Sequence, residues 1–73
     1  MNKLLLESTM KLFGDTGSSL SEYLGISRSR FSAKLNEKNG AEFTQGEIRK
    51  IRDKYKLSAE AVFNIFFDEK VSK

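Results

Sequence analysis

The sequence has no cysteine and no histidine among its 73 residues. Without cysteine, the chain can form neither a disulfide nor a thiolate metal site. Without histidine, it lacks the commonest general base and the commonest metal ligand. The acidic residues Glu42, Asp68 and Glu69 lie in charged segments that have no surrounding apolar pattern to frame a pocket. We therefore expect no metal, no cofactor and no enzymatic activity.

Long apolar runs are missing as well. The run Leu4–Leu6 ends at Glu7, which makes it too short for the core of a signal peptide or for a membrane span. These features predict a cytoplasmic protein without membrane association. The length corresponds to one domain, residues 1–73, and a domain of this size buries only about 60% of the surface of its unfolded chain.

Positive charge is concentrated in the middle of the chain. The net charge is +3. Residues 26–57 carry nine basic and four acidic side chains, whereas residues 1–25 and 58–73 each carry two basic and three acidic ones. A basic segment in a small domain favours a polyanionic partner. A solvated helix surface is the alternative interpretation of the same charges.

Few segments show the alternation of Val, Ile and Thr that is typical of strands, and apolar residues recur instead at helical spacing. The first helix is expected over about residues 2–13 and is ended by Gly14. The second is expected over about residues 17–24, with Thr16 or Asp15 as its N-cap. The predicted apolar faces are Leu5, Leu6, Met10 and Phe13 in the first helix, and Leu20, Tyr23 and Leu24 in the second.

Three further helices follow in the pattern. The third begins after the N-cap Ser27 and is ended by Asn36, and residues 37–40 read as a loop. The fourth begins with the capping box Thr44-Gln45-Gly46-Glu47, and the fifth begins after Ser58. Their apolar positions are Phe31 and Leu35, then Ile48, Ile51 and Tyr55, then Ala61, Val62, Ile65 and Phe66. Residues 67–71 are compatible with helix, coil or a short edge strand. The sequence thus predicts an all-α domain of five helices.

Residues 16–36 are the most informative segment. Two short helices that cross steeply, with a turn of three or four residues between them, form a helix-turn-helix. Gly25 can adopt the positive φ that such a turn requires, and Ser21 is small enough to let the next helix approach closely. The shared core of the two helices is predicted to be Leu20, Leu24, Ile26, Phe31 and Leu35.

The third helix has an outer face that packing leaves unconstrained. At 100° per residue, the residues pointing away from Phe31 and Leu35 are Ser29, Ser32, Ala33 and Asn36, with Arg30 at the border and Arg28 at the helix entrance. Small residues let a helix enter the major groove deeply, and arginine can pair bidentately with guanine O6 and N7. Hydroxyl and amide groups can bond to bases or phosphates. This face is therefore a candidate DNA-reading surface.

Other residues are candidates for contacts with phosphates or base edges. Backbone N–H groups at the start of the second helix can bind a phosphate. The full candidate set is Ser18, Ser19, Arg30, Asn36, Lys38, Arg49 and Lys50. For Lys38, Arg49 and Lys50, an ordinary solvent-exposed position is the alternative.

Residues 16–35, followed by Leu35-Asn36 and Phe43–Ile48, resemble the helix-turn-helix domains of Cro and repressor proteins from temperate bacteriophages and their xenobiotic-response-element relatives. The segment Ile65–Val71 is similar to small phage Cro-like regulators, so the resemblance spans about residues 3–71. It implies a lambda-repressor-like fold, binding to double-stranded DNA as a homodimer, and a role in the lysis–lysogeny switch near the nucleoid of a bacterial host. The base-reading positions that it implies are Arg28, Ser29, Ser32 and Ala33.

This chain departs from the family pattern at two positions. Many members have a long polar side chain that binds a phosphate where this chain has Gly17. Several have a basic residue where this chain has Glu42, which DNA would repel. Ala33 also offers a methyl contact, which suits thymine, but no hydrogen bond. These departures motivate a second hypothesis, an antirepressor or co-regulator that binds a phage repressor protein. An antitoxin is a third hypothesis, less favoured because the chain has no obvious toxin-binding extension.

The aromatic content predicts an interface. Six phenylalanines and two tyrosines exceed what so small a core can bury, and exposed apolar patches mark interaction surfaces. We expect Phe66, Phe67 or Val71 to lie in a homodimer or partner interface. A symmetric dimer would place two recognition helices one DNA turn apart, about 34 Å.

Overall fold

Helices account for most of the described part of the chain, residues 1–67 of a computed structural model. The elements are α1 (Lys3–Leu12), α2 (Gly17–Leu24), α3 (Arg28–Leu35), α4 (Gln45–Tyr55) and α5 (Ala59–Val62). A short 3₁₀ turn at Lys38–Gly40 lies between α3 and α4, and a π-helical turn at Phe63–Phe67 continues α5. Residues 1–67 contain no strand. The prediction of an all-α domain of five helices is confirmed.

Each helix begins at a polar side chain that accepts a hydrogen bond from the backbone N–H three residues later. These N-caps are Asn2, Thr16, Ser27, Thr44 and Ser58, with donor–acceptor distances of 3.0 to 3.1 Å. Such caps satisfy N–H groups that have no partner inside the helix. The capping box at Thr44 and Glu47 is present as predicted, because the Thr44 N–H donates to Glu47 Oε1 at 2.8 Å. The caps Thr16, Ser27 and Ser58 are likewise confirmed.

One apolar core joins the helices. It consists of Leu6, Met10, Leu20, Leu24, Phe31, Phe43, Ile51, Tyr55 and Ile65. Phe43 precedes α4 and was not predicted as a core residue. Its ring lies 5.7 Å from that of Phe31 and 5.9 Å from that of Phe66, edge to face in both pairs. Phe43 therefore connects α3 to the C-terminal turn.

Three residues that were predicted on buried faces are substantially exposed. Leu5 and Phe13 of the first helix segment are 36% and 53% exposed, and Tyr23 is 44% exposed. Phe13 packs one face against the ring of Tyr55, with the centroids 4.8 Å apart. The Tyr23 ring instead lies under the ammonium group of Lys54, 4.7 Å from it, which is a cation–π contact at the surface. The predictions failed because these side chains lie at the rim of the core.

Polar contacts between distant segments complete the fold. The Tyr55 hydroxyl donates to Asp15 Oδ2 at 2.6 Å, and Lys54 Nζ lies 3.6 Å from the same oxygen. The Asn2 N–H donates to the Ile65 carbonyl at 2.6 Å. These contacts join α4 to the α1–α2 turn, and the C-terminal turn to the start of α1.

No helix within residues 1–67 is long and apolar enough to cross a membrane.

Candidate nucleic-acid interface

The α2–α3 turn sets the angle at which α3 leaves α2. Gly25 has φ +77°, and its N–H donates to the Glu22 carbonyl at 3.1 Å. The next N–H, of Ile26, donates to the Ser21 carbonyl at 3.0 Å. Ser21 is buried, and its hydroxyl donates to the Ser18 carbonyl at 2.9 Å. The turn and the small residue in α2 therefore let α3 pack closely, as expected of a helix-turn-helix.

Packing uses one side of α3. Phe31 is the buried residue of this helix, and Leu35 packs against the core from the same side. Ser27 caps the helix, and Asn36 ends it. The opposite side carries no apolar side chain larger than that of Ala33. That side is left to face a partner or solvent.

The outer side of α3 lines an open groove of about 490 Å³. Its lining residues are Arg28, Ser29, Ser32, Ala33, Asn36 and Lys38. We call this surface the α3 groove. It contains all four predicted base-reading residues, together with two residues of the phosphate or base-edge set. An α-helix with its side chains is about 10–12 Å in diameter, which fits the major groove of B-DNA, about 12 Å wide.

The other residues of the phosphate or base-edge set lie outside the α3 groove. Arg30, Arg49 and Lys50 are exposed but do not line it. Ser18 is exposed at the start of α2. The Ser19 hydroxyl donates to Asp15 Oδ1 at 2.7 Å and accepts from the Thr16 N–H at 2.9 Å. Its side chain is thus engaged within the chain, in the cap of α2.

Asn36 is held in place by two neighbours. Its Nδ2 donates to the Ser32 carbonyl at 2.9 Å, and its Oδ1 accepts from Lys3 Nζ at 2.6 Å. Sequence reasoning did not predict that Lys3 lies at this surface. No local signal could have revealed it, because the two residues are 33 positions apart.

Lys34 is the one cation of α3 that points to the protein interior. Its Nζ lies 2.7 Å from both carboxylate oxygens of Glu47, and both side chains are largely buried. Burial of Glu47 opposes its ionisation, but the hydrogen bonds from Lys34 and Thr44 outweigh burial and lower the pKa of the carboxyl. Within residues 1–67, Arg28 and Arg30 form no ion pair. Both guanidinium groups are exposed.

Gly17 and Glu42, the two positions that depart from the pattern of the resembled regulators, do not line the α3 groove. A Cβ at Gly17 would lie 3.7 Å from Phe31 Cε2 and 3.9 Å from Arg28 Nε. Gly17 also lines a small hollow of about 170 Å³ together with Arg28 and Glu7. Arg28 therefore lies between this hollow and the α3 groove. Glu42 is exposed in the segment that precedes α4.

The residues predicted for an interface have different environments. Phe66 is half-buried and packs against the core through Phe43. Phe67 is 53% exposed, and its neighbour Phe63 in the same turn is 57% exposed. Val71 lies outside the described residues. Two exposed phenylalanines are therefore present at the C-terminal turn: Phe67, which the sequence analysis included, and Phe63, which it did not.

No protein-family model, no curated protein and no solved structure matches this chain. The phage-regulator resemblance therefore stays a prediction.

Proposed function

We propose that the chain is a sequence-specific DNA-binding transcriptional regulator that inserts α3 into the major groove of an operator. The observation that carries this proposal is the α3 groove, in which Arg28, Ser29, Ser32 and Ala33 come together on one side of a capped helix. The family resemblance adds a role in a phage lysis–lysogeny switch, in the cytoplasm of a bacterial host.

The side chains of the α3 groove suit the edges of base pairs. Arg28 has the fork of donors that fits guanine O6 and N7, and the Ala33 methyl group fits the methyl group of thymine. The hydroxyls of Ser29 and Ser32 can donate or accept hydrogen bonds. Lys38 lies at the end of the same groove. Its charge suits the phosphates that flank the major groove.

We also propose that two copies bind together. Phe63 and Phe67 expose aromatic surface on the C-terminal turn, and such surface is commonly covered by a partner. In a symmetric dimer, each copy would read one half-site, and the half-sites would lie about 34 Å apart. The stoichiometry of the complex tests this part of the proposal, with two chains per operator expected.

The test begins with duplexes enriched by the protein from a random-sequence library. Affinity for the enriched duplex and for a scrambled duplex is then measured across a range of salt concentrations. We expect the enriched duplex to bind at least about 10³-fold more tightly at physiological salt. Equal, weak binding to both duplexes would contradict the proposal and favour the second hypothesis, a module that binds a repressor protein.

Arg28→Ala tests the assignment of the base-reading residues. We expect the variant to lose about 1–3 kcal/mol of binding free energy for the enriched duplex and to lose its base preference at one base pair of the half-site. The scrambled duplex has no matching guanine, so its affinity should not show this loss. Arg30→Ala is the matched control, since it removes the same group from the same helix outside the α3 groove. It should weaken binding to all duplexes alike or leave it unchanged. Unchanged operator affinity in Arg28→Ala would show that Arg28 reads no base.

A further inference from the structure

The start of α1 lies beside the end of the recognition helix. The Lys3 ammonium donates to Asn36 Oδ1 at 2.6 Å. Asn36 lines both the α3 groove and a neighbouring hollow of about 240 Å³ that also includes Lys3. Lys3 is therefore adjacent to the proposed DNA-reading surface, although it belongs to a different helix and is far away in sequence.

We propose that Lys3 is a DNA phosphate contact and that Asn36 is the residue that positions it. This inference rests on the proposed function, because it assigns α1 to the same DNA interface. It changes the role of Asn36 from a direct contact to a support for Lys3. It also adds a basic residue that sequence reasoning did not include.

The charge of Lys3 is available to a phosphate. Its hydrogen-bond partner is a neutral amide, so the contact fixes the ammonium group without neutralising it. Lys3 is exposed. Glu37 is the acidic group at this end of α3, and its Oε2 lies 3.5 Å from the amino group of Met1. The Glu37 carboxylate therefore pairs with the amino group of Met1 and not with Lys3.

The orientation of the Asn36 amide follows from its two contacts. Nδ2 donates to the Ser32 carbonyl at 2.9 Å, which leaves Oδ1 facing away from the helix backbone. A lysine ammonium can only donate, so it must meet the amide oxygen. Ser32, Asn36 and Lys3 therefore form a chain of contacts from the α3 groove to α1.

The position of Lys3 agrees with a contact to the sugar-phosphate backbone of DNA. Base edges are contacted inside the major groove of DNA, whereas phosphates lie along the two sides of that groove. Lys3 and Lys38 both lie at the C-terminal end of α3, one reached through Asn36 and the other following the helix. When the N-terminal residues of a recognition helix contact base edges in the major groove, the C-terminal end of the helix lies nearer the sugar-phosphate backbone.

The experiment compares Lys3→Gln with Lys11→Gln, since both remove one charge from an exposed position of α1. The two lysines lie in opposite end turns of the helix, about 12 Å apart along its axis. The probes are sheared genomic DNA and the duplex enriched from the random library. For each variant, the binding constant is measured at several salt concentrations, and thermal unfolding is used to verify that the fold is retained.

For Lys3→Gln, we expect the slope of log K against log salt concentration to become shallower by about one unit. The change should be the same for both probes, because phosphates are independent of sequence. Lys3→Arg should retain the wild-type slope, and Lys11→Gln should not alter it. A Lys3→Gln slope equal to that of the wild type would overturn the assignment while the proposed function stands. If the wild-type protein shows no salt-dependent binding to either probe, the proposed function fails, and this inference fails with it.

Asn36→Ala tests the positioning role. If Asn36 acts through Lys3, the variant should lose part of the same salt dependence, and the double variant Lys3→Gln/Asn36→Ala should behave like Lys3→Gln alone. A loss of affinity in Asn36→Ala that is restricted to the enriched duplex would instead show that Asn36 reads a base, and would overturn its assignment as a positioning residue.

Discussion

Gly17 and Gly25 lie at opposite ends of α2 and have different backbone requirements. Gly25 has φ +77°, in the left-handed region that side chains disfavour, and nothing lies within 4 Å of a Cβ placed there. Gly17 has no such backbone constraint, and a Cβ there would make ordinary van der Waals contact with the ring of Phe31. A glycine is therefore needed for the turn after α2 but not for the start of α2.

The two positions should respond oppositely to alanine. Gly17→Ala should stabilise the fold by up to about 1 kcal/mol, because it reduces the conformational entropy of the unfolded chain at a compatible position. Gly25→Ala should destabilise it by about 1–2 kcal/mol, the cost of a left-handed conformation for a residue with a Cβ. Urea denaturation measures both free energies of unfolding. A destabilised Gly17→Ala variant would contradict the contact geometry described for Phe31.

At the scale of elements, the position of α3 depends on more than its apolar side. The Lys34–Glu47 ion pair joins α3 to the first turn of α4. Glu47 also accepts from the Thr44 N–H, so one carboxylate contributes both to the cap of α4 and to the contact with α3. Glu47, which the sequence predicted only as part of a capping box, therefore also forms a contact between α3 and α4.

A double-mutant cycle measures this attachment. Lys34→Met removes the ammonium group, and Glu47→Gln retains a side chain that fits a capping box. We expect a coupling free energy of about 1–2 kcal/mol, above that of a surface pair because both side chains are largely buried. The matched control is the exposed pair Arg52 and Asp53, 3.0 Å apart, with an expected coupling below about 0.5 kcal/mol. Equal coupling in the two cycles would show that burial does not strengthen the Lys34–Glu47 pair.

At the scale of the whole molecule, Asp15 joins segments that are far apart in sequence. The hydrogen bond from the Tyr55 hydroxyl is the main cause that lowers the pKa of Asp15, against the opposing effect of burial, and Ser19 and Lys54 lower it further. Burial, followed by the hydrogen bond to Asp15, raises the pKa of Tyr55 above its usual range. The ionised aspartate and the neutral tyrosine are therefore the forms that the folded state favours.

Acidic pH should weaken the contact between Asp15 and Tyr55. Because the folded-state pKa of Asp15 is lowered, its ionised form stabilises the fold fully above the unfolded value of about 4, and this stabilisation is lost as the pH falls through the folded value. The difference in Tm between the wild type and Asp15→Asn should therefore be greatest near neutral pH and shrink below about pH 4. Asp53→Asn, at a side chain that is 66% exposed, is the control and should differ little from the wild type throughout. A wild-type advantage over Asp15→Asn that is constant across pH would contradict this prediction.

Local sequence patterns were sufficient to predict the five helices and the N-caps of α2 to α5. Caps at Thr16, Ser27, Thr44 and Ser58 bond to an N–H three residues away, so their signal lies within one short segment. The helical period likewise determined which residues share the outer side of α3, because side-chain direction follows from 100° per residue. This is why the residues of the α3 groove could be predicted together.

Which helix faces are covered, and which distant side chains come into contact, depends on how the helices pack together. The helical period placed Phe13 and Tyr23 on apolar faces, but it gave no information on where the neighbouring helices end, and both side chains lie at the rim of the core. The polar contacts Lys3–Asn36, Lys34–Glu47 and Asp15–Tyr55 span 33, 13 and 40 residues. Contacts of this range depend on the packing of separate helices, which no local pattern encodes. Which charged side chains lie beside α3 therefore depends on how the helices pack.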